Sequence, residues 1–242
     1  MAQLRLSFDE VASELRIMAQ LADGPFLDAA ARYRLEAAAD QLRHVRNARG
    51  GIWEVPICAP IVTAYSPGVY AQDGKGAHTI YAELSWIWQI ACDPRDRDAL
   101  ILKDHASMRV VFKRVLNDGD QQVICWTMDV ADKNAPGAYV HTQVKNTLPN
   151  EEPELDVPRF PTVLITPGEC LDFVLGELFQ KKWQQHQTLR REDTTNLRRA
   201  QRKRMKLFLE DILRSAHVRY SDATAWMAFK LWKPDNLSLT SY

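Results

Sequence analysis

No stretch of the 242 residues approaches 18 consecutive uncharged apolar positions, so a helix crossing a membrane is excluded on length. The opening MAQLRLSFDE has no basic run followed by an apolar one, and no secretory signal is expected. Cysteine is sparse. Cys58, Cys92, Cys125 and Cys170 lie 34, 33 and 45 residues apart, too far for a CxxC knuckle. Such dispersal reads as buried thiols in a reducing, cytoplasmic setting. The six histidines stand singly, and none has a second His, Cys or carboxylate at a ligand spacing, so no metal site is expected. GxxxxGK[ST], GxGxxG and GxSxG are all missing, which argues against a P-loop nucleotidase, a Rossmann-type dinucleotide enzyme and an α/β-hydrolase, and no cofactor is expected. Net charge is absent too, because 31 Lys and Arg balance 31 Asp and Glu.

What is present belongs to an ordinary globular chain, 46% hydrophobic and 26% charged, long enough to bury a sizeable core as one domain. Residues 1–50 read as a helical pair. Ser7 and Glu10 have capping-box spacing ahead of Val11, Leu15, Met18 and Ala22. A second helix follows Asp23-Gly24-Pro25 and ends at Gly50-Gly51. Residues 51–77, broken by Pro56, Pro60, Pro67, Gly68, Gly74 and Gly76, read as an irregular arm with one short strand near Ile61–Tyr65.

Residues 78–166 carry the clearest pattern. Ile80, Ala82, Leu84, Trp86, Trp88 and Ile90 alternate with Tyr81, Glu83, Ser85 and Gln89. Three further alternating runs follow, around Met108–Lys113, Ile124–Val130 and Tyr139–Lys145, separated by turn-forming stretches such as Asn117-Asp118-Gly119-Asp120. Short connections between sequential strands imply an antiparallel meander. Residues 167–233 read as C-terminal helices, the first capped by Thr166-Pro167-Gly168-Glu169, and 234–242 as a tail. The expected fold is α+β: an N-terminal helix pair, a central antiparallel sheet, and C-terminal helices packed on one sheet face.

Charge is split along this neutral chain. Lys181, Lys182, Arg190, Arg191, Arg198, Arg199, Arg202, Lys203, Arg204 and Lys206 face only Glu192 and Asp193, a local charge of +8, whereas Glu151 to Glu177 carries −6. Arg198 and Arg202, like Arg199 and Lys203, are one helical turn apart and can present a cationic ridge to the phosphates of RNA or DNA or to an acidic protein. The bland alternative is a solvated face, or pairing with the acidic stretch upstream. Trp183, Trp226, Phe229 and Trp232 accompany the basic run as candidates for a partner interface. On the polar sheet face, His141 is a candidate acid or base, with Arg109 and Lys113 as anion clamps, provided the strand register brings a carboxylate such as Glu83 or Asp129 to it. The function expected from these features is a non-catalytic subunit or adaptor of a multi-protein assembly, touching nucleic acid or an acidic partner through residues 181–206. The competing expectation is a hydrolase of a phosphorylated or nucleic-acid substrate that uses His141.

Overall fold

The structure, a computed structural model, describes residues 4–66, 79–131, 134, 137–145 and 159–240, except the side chains of Asp104, Lys145 and Asp193. The chain is α+β as the pattern predicts. Its elements are β1 (Leu4–Ser7), α1 (Phe8–Ala22), α2 (Ala31–Asn47), β2 (Gly50–Val55), β3 (Ile61–Val62), β4 (Ile80–Cys92), β5 (Ala99–Arg114), β6 (Gln121–Val130) and β7 (Val140–Lys145). Then come β8 (Phe160–Pro161), α3 (Pro167–Phe179), α4 (Lys181–Leu189), α5 (Arg191–Arg219), α6 (Ala225–Leu231) and β9 (Leu237–Ser238). Strands β2, β4, β5, β6, β7 and β8 lie side by side in that order, all antiparallel; β3 extends along β4, and β1 lies on the free end of β5 with β9 parallel to it.

The four-run meander is β4 to β7, joined as expected. Trp86, Trp88, Met108, Val110 and Met128 are buried on the face that the helices cover. Trp53 of β2 anchors that layer: its ring lies 5.3 Å from both Trp86 and Trp88, and its Nε1 donates to the Ala38 carbonyl of α2 at 2.9 Å. A buried indole whose single N–H is unpaired forfeits a hydrogen bond; the α2 backbone spares Trp53 that cost, whereas the buried Nε1 atoms of Trp86 and Trp88 have no acceptor among the described residues.

Several expected boundaries are corrected. Where an irregular arm was expected from residue 51, residues 50–55 form a strand paired with β4 that starts at the two glycines read as a helix stop, while the short strand expected near Ile61–Tyr65 is present as β3; residues 67–77 lie outside the described residues. Gly50 takes φ +144°, and a Cβ there would sit 3.0 Å from the Ile90 carbonyl oxygen and 3.2 Å from Ala91 Cα. It stands directly opposite Ala91, so it marks a close strand approach rather than a cap. Gly50→Val is therefore expected to lower stability by about 2–3 kcal/mol, read as a lower urea midpoint at unchanged slope. The chain ends were misread as well. Leu4–Ser7 and Leu237–Ser238 are too short for periodicity to register, yet both join the sheet, so the expected tail includes a strand. The expected caps hold. Ser7 Oγ accepts from Glu10 N at 3.0 Å, and Thr166 and Glu169 form a complete capping box at the start of α3.

A candidate binding face on the C-terminal helices

Helix α5 buries Thr194, Leu197, Arg204, Phe208, Ile212 and Ser215 at intervals of three, four or seven residues, which fixes its rotation against the rest of the molecule. Most of the predicted cations follow from that rotation. At about 100° per residue, Arg191, Arg198, Arg199, Arg202, Lys203 and Lys206 fall within roughly 140° of arc on the side away from the buried stripe. Arg191, Arg199, Arg202 and Lys206 are exposed, as are Lys181, Lys182 and Arg190 just before them, while Arg198 and Lys203 are half-buried. Arg198, Arg202 and Lys206 form one row at successive turns. Arg198 Nη2 donates to Gln187 Oε1 at 3.4 Å, Lys182 lies 5.6 Å from the Phe26 ring, and Lys206 approaches Glu210 at 3.7 Å in an exposed pair of the kind that contributes little.

Arg204 is the exception, and the expectation that it belongs to the ridge is corrected. It is 3% exposed and points inward. Its Nη2 sits 2.5 Å from Glu14 Oε2 of α1 and 2.9 Å from Glu169 Oε1 of α3, and its Nε donates to the same Glu169 oxygen at 3.2 Å. Thr166 Oγ1 donates to Glu14 Oε1 at 2.5 Å, and Glu169 Oε2 accepts from the Thr166 amide at 2.7 Å. Glu10 Oε2 of α1 lies 3.9 Å from Arg204 Nη1 as well, so three carboxylates, one guanidinium and one hydroxyl join three helices. Burial first of all, helped by the charge of Glu169, pushes the Glu14 carboxyl up to about 7, with Arg204 and the Thr166 hydroxyl pulling the other way. Sequence reasoning missed this cluster, although it left a signal: Glu14 and Arg204 are charged residues inside otherwise apolar helical stripes.

Beside the α5 ridge lies a groove of about 750 Å³. Its floor is Trp126 and Met128 of β6, its lips are Phe160 of β8 and Phe173 of α3, and its α5 wall is formed by Gln201, Arg202 and Met205. Phe173 is 53% exposed, its ring 6.1 Å from that of Trp126. This groove too went unread, because it depends on how β8, α3 and β6 converge.

The tryptophans divide. Trp183 is buried, donates from Nε1 to Asp172 Oδ1 at 2.8 Å and packs its ring 4.9 Å from Phe26. Trp232 is buried against Phe208 and Tyr139, with Nε1 donating to Asp211 Oδ2 at 3.0 Å. Neither offers an exposed interface as expected, since both are large apolar groups whose single donor is satisfied internally. Trp226, 74% exposed, does face solvent and stacks 6.5 Å from the half-buried Phe229.

The sheet-face candidates do not converge. Register places His141 directly opposite Asp129, with Nε2 4.0 Å from Asp129 Oδ2, whereas Glu83 is held by Lys113 at 2.6 Å on β4 and β5. His141 is buried rather than water-facing as its strand parity suggested; Nδ1 donates to the Ala138 carbonyl at 3.0 Å, and burial, outweighing that bond and Asp129, holds its pKa below the ordinary value, so the ring is neutral at pH 7. Arg109 donates from Nε to Cys125 Sγ at 3.3 Å and borders a separate 400 Å³ cleft with Ser107, Thr127 and Cys58. The clamps and the histidine therefore occupy different places. Cys58 is exposed and Cys92 half-buried, so only Cys125 and Cys170 are the buried thiols expected of all four. Among the described residues no helix is long and apolar enough to cross a membrane, and no group of three His, Cys, Asp or Glu side chains could hold a metal ion. Comparison with protein-family models, curated proteins and solved structures finds no match to this chain.

Proposed function

We propose that the chain is a non-catalytic subunit or adaptor that docks an acidic protein surface on the outer flank of α4 and α5. The observation that carries this is the outward, one-sided array of Arg191, Arg199, Arg202 and Lys206, among which only Lys206 has an ion-pair contact with a described residue, and that an exposed one. Of the acidic residues upstream, Glu169 is committed to Arg204, and Asp172 to Trp183 and Gln187, so these do not neutralise the ridge; Glu151, Glu152, Glu154 and Asp156 lie outside the described residues. Nucleic acid is the less favoured occupant of this face. Binding of single strands draws on aromatic rings exposed among the cations, and Trp183 and Trp232 are internal while the exposed Trp226 lies on α6, beyond the cationic stretch 181–206 in the chain. Exposed Trp226, Met227 and Leu231 on α6 extend the surface with apolar groups suited to a protein contact.

The test compares poly-L-glutamate and single-stranded RNA as probes, with the wild type and an Arg191→Glu, Arg199→Glu, Lys206→Glu triple variant. All three positions are exposed, so folding should be retained. Wild type is expected to bind polyglutamate and the triple variant to lose at least tenfold in affinity. Strong RNA binding with none to polyglutamate would overturn the acidic-protein reading in favour of the nucleic-acid one, and binding unaffected by the triple substitution would remove the ridge from either.

A further inference from the structure

The groove between α5, α3 and β8 combines an apolar interior with two polar groups in one wall. Trp126, Met128, Phe160, Phe173 and Met205 present side-chain carbon to it. From α5, Arg202 reaches it with a guanidinium that has no ion-pair partner among the described residues, and Gln201 contributes an amide whose Nε2 is buried without any hydrogen-bond acceptor. A buried donor left unmade costs free energy comparable to a lost hydrogen bond, and such atoms in a native fold ask for an acceptor. The two carboxylates in the lining do not supply it: Glu169 is held by Arg204 and the Thr166 amide, and Asp172 by Trp183 and Gln187.

We propose that this groove binds an elongated apolar carboxylate of the fatty-acid class, its chain lying on Trp126 and Met128 between Phe160 and Phe173, and its head group accepting from Arg202 and, on a turn of the Gln201 side chain that brings its buried Nε2 to the groove, from that amide. The volume of about 750 Å³ is within the range of small-ligand sites, and the proportion of lining, mostly apolar with a few convergent polar groups, is the arrangement by which such sites bind and orient. A guanidinium suits a carboxylate because it donates two parallel bonds to it. Asp172 adds one negative charge near the far lip, but Gln187, which donates to Asp172, in turn accepts from Arg198, so a cation lies behind it. This goes beyond docking of an acidic partner on the outer ridge and needs none of Arg191, Arg199 or Lys206.

The experiment titrates the full chain with octanoate, decanoate and dodecanoate below their micellar concentrations, and with dodecanol and dodecylammonium, by calorimetry and tryptophan fluorescence. Affinity is expected to rise about fourfold per added methylene that the groove buries. Dodecanoate is expected to bind at least tenfold more tightly than dodecylammonium. Phe173→Glu and Phe160→Glu change exposed residues and should fold normally; each is expected to lower dodecanoate affinity at least tenfold. Arg202→Ala is expected to weaken dodecanoate while leaving dodecanol unchanged. Binding that ignores the Phe substitutions, or dodecylammonium binding as well as dodecanoate, would overturn the proposal. So would the absence of any fatty-acid binding while an acidic amphipathic peptide binds in a manner sensitive to Phe173→Glu, which would assign the groove to a protein segment. The ridge triple variant, run in parallel, should keep dodecanoate binding intact, so failure here and failure of the acidic-partner reading are separable.

Discussion

Replacing Arg204 with methionine is expected to lower the unfolding free energy by about 3–5 kcal/mol, because it leaves Glu14 and Glu169 facing each other without their shared cation. Methionine preserves much of the side chain's volume, so the loss reports on charge rather than on a cavity. The measurement is urea unfolding, and the double variant Arg204→Met, Glu14→Leu serves as its control. Removing the buried charge together with its partner should recover a large part of the loss, since the cost of breaking such a pair comes chiefly from the charge left behind. A double variant no more stable than Arg204→Met would show that the cluster matters through shape alone.

The same cluster sets a pH dependence. Glu14 is raised from its ordinary 4.5 to about 7, with burial the main cause. In the folded protein it therefore holds a proton that the unfolded chain has released anywhere between those values. Below about pH 4.5 both states are protonated and Glu14 costs nothing. As pH rises towards 7 the folded state loses stability relative to the unfolded, by about 3 kcal/mol at most, and the loss then levels off. Glu14→Gln is expected to remove this slope, giving a flatter stability profile between about pH 5 and 7. An unchanged slope in that variant would place its origin elsewhere.

Trp232→Ala is the second substitution expected to have a large effect, about 3–5 kcal/mol. Its ring fills space between Phe208 of α5 and Tyr139 ahead of β7, and its N–H donates to the half-buried Asp211, so truncation opens a cavity and leaves Asp211 Oδ2 without that donor at once. Trp226→Ala, a few residues earlier but exposed, should change stability by less than about 0.5 kcal/mol. The contrast, read by thermal unfolding of the two variants, separates the part of the C-terminal segment that belongs to the core from the part available to a partner. Equal effects would contradict that division.

The pair also shows what the sequence could and could not convey. Strand parity was legible wherever one face is buried over many residues: the six even positions of β4 from Ile80 to Ile90 all face inward, five of them buried and Ile80 partly buried against the core. Capping was legible because Thr166 and Glu169 act over three residues. The rotation of α5 was half legible. Of its apolar run, Phe208 and Ile212 are buried whereas Met205, Leu209 and Leu213 are exposed, and Arg204, one of the ten cations taken together, falls in the buried stripe between Leu197 and Phe208. A charge is placed there only when partners from other helices meet it, and Glu14 is 190 residues away in the chain. Trp183 and Trp232 were misplaced for a similar reason: an indole beside a basic run reads as an exposed stacking surface unless its internal acceptor, Asp172 or Asp211, is known. The groove was out of reach altogether, since Phe160, Phe173, Trp126 and Met205 come from four separate elements.

Docking of an acidic surface requires that the outward cations of α5 act as a unit, and the salt dependence of polyglutamate binding tests this most directly. A unit of several cations that displaces bound counterions makes log affinity fall linearly with log salt, so wild type is expected to lose at least tenfold between about 50 and 200 mM salt, with a visibly shallower slope in the Arg191→Glu, Arg199→Glu, Lys206→Glu protein. Affinity that is indifferent to salt, or a slope identical in the two proteins, would contradict the account.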